Sequence, residues 1–168
     1  MIKRKLVSIL VILLAFLLQT TVFRCLELAD VVPNLLLATT VTYAYLRGRT
    51  SGIVTGFFCG LMLDMMYGSV IGLYAFIFMT VGFVVGFCQK IYFRESLLLP
   101  AALIAGSDLL YGMFYYITEF LMRGRIHFGF FFLHRILPEM IYTVIVGIVF
   151  FRILFSVEKL VTSRRKET

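Results

Sequence analysis

Six apolar stretches, at 6–23, 34–46, 53–66, 73–89, 97–121 and 136–155, are separated by short polar turns. Continuous apolar runs of this length, without strict alternation, predict helices rather than strands. A helix needs about 20 largely apolar residues to cross a bilayer, and most of these runs approach that length. The second and third are shorter, and Arg47-Gly48-Arg49-Thr50-Ser51-Gly52 lies between them. Read as a re-entrant hairpin, they would carry Arg47 and Arg49 into hydrocarbon at about 2.5–3.5 kcal/mol each. A turn at the membrane surface between two spanning helices is expected instead. Pro33-Asn34 makes a suitable start for the second helix, because Pro is tolerated in a first turn. The pattern predicts an all-α polytopic membrane protein, a single domain over 1–168 with six transmembrane helices.

Composition agrees with the pattern and removes whole classes of function. Of the 168 residues 61% are hydrophobic and 15% charged, with a mean hydropathy of +1.00. A soluble domain carries about 25% charged residues, so a water-solvated globule is excluded. Six helices leave no room for a soluble domain, and work done in water falls to partners.

The formal charge is +7, from 16 basic and 9 acidic residues. In a membrane protein this surplus is a topology signal, not a footprint for nucleic acid, which is not an expected partner. With both termini inside, 12 basic residues fall on the cytoplasmic side and four, Arg24, Arg123, Arg125 and Arg135, outside. The segment 123–135, with aromatics around His127 and His134, is expected to lie at the outer membrane surface. Lys3-Arg4-Lys5 ahead of the first run resembles the start of a signal peptide. No small-x-small cleavage site follows, and Val22-Phe23-Arg24 before Cys25 resembles no lipoprotein box, so the helix is expected to be retained. Cys25, Cys59 and Cys88 show no CxxC spacing and suggest neither a disulfide framework nor a zinc site.

The strongest pattern is a four-residue recurrence of Gly52, Gly56, Gly60, Asp64, Gly68 and Gly72. Small residues four apart share a helix face and let helices approach closely. The seam serves either packing on a neighbouring helix, with Gly82 and Gly86 as mates, or contact with another protein. Asp64 is expected near the outer end of the third helix. It either caps the turn toward Tyr67-Gly68, acts as a hydrogen-bond hub or partner contact, or does chemistry. In the hub reading Asp64→Asn is tolerated and Asp64→Leu is not.

Asp108, near the middle of the fifth helix, is the most surprising ionisable residue, with Ser107, Tyr111 and Tyr115-Tyr116 forming a polar stripe nearby. A buried structural hydrogen bond and a polar cavity both remain open for it. Glu119, Arg135 and Glu139 cluster toward the outside, and Arg135 and Glu139 are spaced as a helix pair. His127 and His134 belong to no metal-ligand cluster and read as interfacial. There is no Gly-rich phosphate loop ending in Gly-Lys-Ser/Thr and no Gly-x-Ser-x-Gly nucleophile motif. No catalytic residue, cofactor or metal is expected.

A basic start, a helix ending Leu-Gln-Thr-Thr-Val-Phe, a loop ending Pro33-Asn34-Leu-Leu-Leu and GFFCGLMLDMMYGSVIG at 56–72 occur in that order. This layout resembles the rod shape-determining membrane protein MreD family of bacteria over essentially the whole chain. Where many members carry an acidic residue after the proline, this chain has Asn34. The resemblance implies a non-catalytic scaffold of the cell-elongation machinery in the bacterial cytoplasmic membrane. Its implied partners are a single-helix MreC-like protein and, indirectly, MreB-like filaments, a RodA-like glycosyltransferase and its transpeptidase. It also implies a distant likeness of fold to the substrate-binding subunits of energy-coupling-factor transporters. The competing readings are such a substrate-binding subunit for a small, vitamin-type solute, or an intramembrane enzyme using Asp64, Asp108, Glu119 or Glu139.

Overall fold

The computed structural model describes residues 2–25, 31–68, 71–91, 97–117 and 128–163. Among these the regular elements are helical. Helix α1 (Ile2–Leu17) continues through a widened π turn (Leu18–Val22) into Phe23–Cys25. Helices α2 (Leu35–Arg47), α3 (Arg49–Tyr67), α4 (Leu73–Phe87, prolonged by Cys88–Ile91) and α5 (Leu98–Tyr116) follow. Phe128–Phe131 and a second π turn, Phe132–Ile136, lead into α6 (Leu137–Ser163).

Five segments are long and apolar enough to cross a membrane: Lys5–Cys25, Arg49–Tyr67, Leu73–Lys90, Leu98–Tyr116 and Phe132–Leu160. The sixth helix, α2, is not among them. Its 13 residues rise about 20 Å, well short of a hydrocarbon core about 30 Å thick. Among the described residues six long helices are present, as expected, and five of them are of spanning length by themselves. Helix α2 is the centre of the bundle, in contact with all five others. Every residue from Leu35 to Tyr45 is buried. Its three threonines tolerate this because each hydroxyl donates to the carbonyl four residues back: Thr39 to Leu35, Thr40 to Leu36 and Thr42 to Ala38, at 2.7–2.9 Å.

Gly48 alone separates α2 from α3. Residues 50–52, expected in a turn, already belong to α3. Gly48 has φ 90°, where a side chain is strained, and its N–H closes α2 on the Ala44 carbonyl at 2.9 Å. Its own carbonyl accepts from Gly52 N–H at 3.0 Å, so one residue ends one helix and starts the next.

The outward faces are apolar. Leu6, Leu10 and Leu14 of α1, Val54 and Phe58 of α3, Phe76 and Phe87 of α4, and Ile145 and Val149 of α6 are all exposed. In water such a surface would be a liability, whereas in a bilayer it is the solvent-facing surface.

Candidate functional site

Helices α3 and α4 run antiparallel in backbone contact. Each four-residue step forward on α3 meets a step back on α4: Gly52 faces Gly82, Gly56 faces Phe78, and Gly60 faces Tyr74 and Ala75. A Cβ at Gly56 would lie 2.7 Å from the Phe78 carbonyl carbon, and one at Gly60 2.6 Å from the Ala75 nitrogen. Gly82 meets Gly52, and Gly86 meets Arg49, in the same way from the other side. The close approach is made by backbone, so no rotamer change relieves an added side chain. Three glycines of the recurrence thus form an internal seam.

Gly68 and Gly72 lie beyond the end of α3. Gly68 N–H donates to the Asp64 carbonyl at 3.0 Å, and a Cβ at Gly68 would sit 2.6 Å from that same oxygen. Gly72 has φ 100° and open space around it, so it serves backbone conformation and not packing. The four-residue recurrence spans two structures, a helix face and the hairpin that follows.

Asp64 joins the two. It is 2% exposed, and its Oδ1 and Oδ2 accept the backbone N–H groups of Tyr74 and Ala75, each at 3.0 Å. Helix α4 begins at Gly72, which has no side chain to cap it. Asp64 supplies the cap from the preceding helix and sets a negative charge against the positive end of the α4 dipole. Sequence reasoning anticipated a cap near Tyr67-Gly68, but the capped helix is the next one.

The buried start of α2 is capped in a similar, distributed way. Asn34 Oδ1 accepts Leu37 N–H at 3.1 Å, as an aspartate there would. Gln19 Oε1, carried on the π turn of α1, accepts Leu36 N–H at 3.0 Å. Thr143 Oγ1 of α6 accepts Asn34 N–H at 3.1 Å. At its other end Arg47 is partly buried. Its Nε donates to Glu158 Oε1 at 3.1 Å, its Nη2 bonds Glu158 Oε2, and its Nη1 donates to Ser8 Oγ at 2.6 Å. The guanidinium lies 4.3 Å from the Tyr43 ring centroid. One cation at the negative end of α2 thus ties α1, α2 and α6 together. Sequence reasoning missed Gln19, Arg47, Thr143 and Glu158 as a set. The available signal was polar side chains inside or flanking apolar runs.

Asp108 on α5 is 2% exposed, and among the described residues its Oδ1 has no hydrogen-bond partner. It lies within electrostatic reach of half-buried Glu139 on α6. Beside them Tyr74, Tyr111 and Tyr115 form a ring cluster with centroids 5.9–6.5 Å apart. Arg135 is 5.9 Å from the Tyr115 centroid, and its charge is within electrostatic reach of Glu139. His134 stacks on Phe130 at 4.2 Å in the exposed segment before α6. Among the described residues no group of three or more His, Cys, Asp or Glu converges as a metal site. Glu119, Arg123, Arg125, His127 and the basic cluster Arg164-Arg165-Lys166 lie outside the described residues.

A helical membrane bundle with a short buried centre, a glycine-seamed hairpin and an aspartate cap defines a class of polytopic membrane protein. The family model for the rod shape-determining protein MreD matches residues 1–161. The chain belongs to that family. No curated protein and no solved structure matches it.

Proposed function

We propose that the chain acts as a non-catalytic membrane scaffold of the cell-elongation machinery. In this reading it binds a single-helix MreC-like protein and couples MreB-like filaments to a RodA-like glycosyltransferase and its transpeptidase. The observation that carries it is family membership over residues 1–161, which supports a role in rod shape. The geometry adds a constraint. Gly52, Gly56, Gly60 and Asp64 are engaged inside the α3–α4 pair, so a partner helix meets other faces of the bundle.

The same reading places the protein in the bacterial cytoplasmic membrane with both termini inside, supported by the distribution of basic residues. Exposed Cys25 should then react with an impermeant maleimide added to intact cells, while a Ser163→Cys variant lacking Cys25 should stay protected. Labelling of Ser163→Cys in intact cells overturns the orientation.

Function is tested by co-purification from native membranes in mild detergent, with cell shape scored in a strain depleted of the protein. Capture of MreC and loss of rod shape are expected. Normal rods together with no captured MreC would sink the proposal. Buried Asp108 beside half-buried Glu139 favours one second reading, a solute-binding transporter subunit, which would instead bring down a pair of ATPases.

A further inference from the structure

Helix α6 exposes one continuous stripe made of Ile141, Ile145, Val149, Ile153 and Leu160, each at least half exposed. These positions are spaced by four residues and, from Ile153 to Leu160, by seven, and so share a helix face. Arg152 stands within this stripe, three residues after Val149, and is exposed. Lys159, seven residues further and therefore on the same face, is also exposed. Among the described residues no acidic side chain pairs with Arg152. The neighbouring acid, Glu158, points to the other side of the helix and is held by Arg47. Arg152 sits about 9 Å further into the membrane than Glu158, taking about 1.5 Å per residue. Among the described residues this guanidinium is unpaired, on an exposed apolar helix face.

We propose that the Arg152–Lys159 face of α6 is a binding site for the phosphate of an anionic phospholipid. A phosphodiester matches the forked donors of a guanidinium, and Lys159, about 10 Å nearer the helix end, adds a second cation at headgroup level. The helix rises about 16 Å from Ile141 to Arg152, close to half of a hydrocarbon core about 30 Å thick, so an acyl chain can lie along that stretch. The alternative occupant is an acidic side chain on a partner helix. The membrane-deep part of the stripe argues against it, because Ile141, Ile145, Val149 and Ile153 include no small residue that would admit a close helix. Ser156, exposed nearer the helix end, spends its hydroxyl on the Arg152 carbonyl. The one glycine of this region, Gly147, is turned inward against Ile104 and Ala38. The site stands apart from the scaffold reading and holds for either orientation.

The experiment is native mass spectrometry of the full chain in neutral detergent. Phosphatidylglycerol or phosphatidylcholine is titrated against the natural protein, Arg152→Gln, Arg152→Lys and Lys159→Gln. The natural protein should retain phosphatidylglycerol several-fold more than phosphatidylcholine. Arg152→Gln should lose most of that preference, Lys159→Gln part of it, and Arg152→Lys should keep more than Arg152→Gln. Inorganic phosphate at millimolar concentration should not displace the lipid. Equal retention by the natural protein and both Gln variants overturns the proposal, as does displacement by inorganic phosphate. Should Arg152→Gln fail to fold, Arg152→Lys and Lys159→Gln decide, and unchanged retention in both overturns it. Arg152→Gln that keeps its lipid but loses a co-purifying membrane protein assigns the site to a partner and overturns the lipid. MreC capture reads the scaffold role separately, so the two can fail independently.

Discussion

Replacing Asp64 should produce a graded loss of stability, and the order of the variants follows from its two acceptor oxygens. Each oxygen takes one backbone N–H of α4 at 3.0 Å, at a site 2% exposed. A hydrogen bond to a charged group contributes about 1.5–3 kcal/mol. Asp64→Asn retains one acceptor and turns an NH2 donor toward the other N–H, so it should cost about 1.5–3 kcal/mol. Asp64→Leu removes both acceptors and leaves two buried donors, for about 3–6 kcal/mol less whatever its packing returns. The two-acceptor geometry therefore predicts a measurable cost for Asn, where the sequence alone suggested tolerance. The assay is unfolding by SDS in mixed micelles, followed by circular dichroism, with all variants at equal protein-to-detergent ratio. An Asn variant indistinguishable from the natural protein, or as unstable as Leu, would refute the two-acceptor reasoning.

The same unfolding assay reads three further predictions. Gly56→Ala and Gly60→Ala should each destabilise by more than 1 kcal/mol, because the added carbon meets α4 backbone. Gly106→Ala, on exposed α5 surface with open space around it, should stabilise by up to about 1 kcal/mol from helix propensity. Equal effects at the three sites would contradict the seam. Arg47→Gln should cost about 2–4 kcal/mol by leaving Glu158, 14% exposed, without its bidentate partner, and adding Glu158→Gln should recover part of that loss. A double variant as unstable as the single would contradict it. Asp108→Leu should be neutral or stabilising, since it removes a buried carboxylate oxygen that has no partner among the described residues. A loss above 2 kcal/mol would show that Asp108 holds the fold together.

The two halves of the glycine pattern show how far local sequence reaches. Gly52, Gly56 and Gly60 were legible as a seam because a four-residue repeat on a helix always shares a face. Of the mates expected on α4, Gly82 does meet Gly52, whereas Gly86 meets Arg49, and Phe78, which faces Gly56, carries no small-residue signal. Beyond Asp64 the periodicity continues while the helix does not. No local rule tells Gly68, which closes on the Asp64 carbonyl, from another seam position. Asp108 and Glu139 stood out as ionisable residues within apolar runs, but their proximity across α5 and α6 could not be read from spacing.

What the sequence determined by itself is the membrane class, the number of helices and the rough helix limits. These follow from the bilayer, which demands long apolar runs with internally satisfied backbone, and such runs are local properties of the chain. Only the tertiary structure decided that α2 is the buried centre of the bundle. Its length is legible, but its surroundings are not: Leu36 N–H is satisfied by Gln19, Asn34 N–H by Thr143, and Arg47 by Glu158, 17, 109 and 111 residues away. A helix end can stay buried only when its polar groups find partners, and those partners come from α1 and α6. That this short apolar run sits at the heart of the bundle is settled by contacts that exist only after folding.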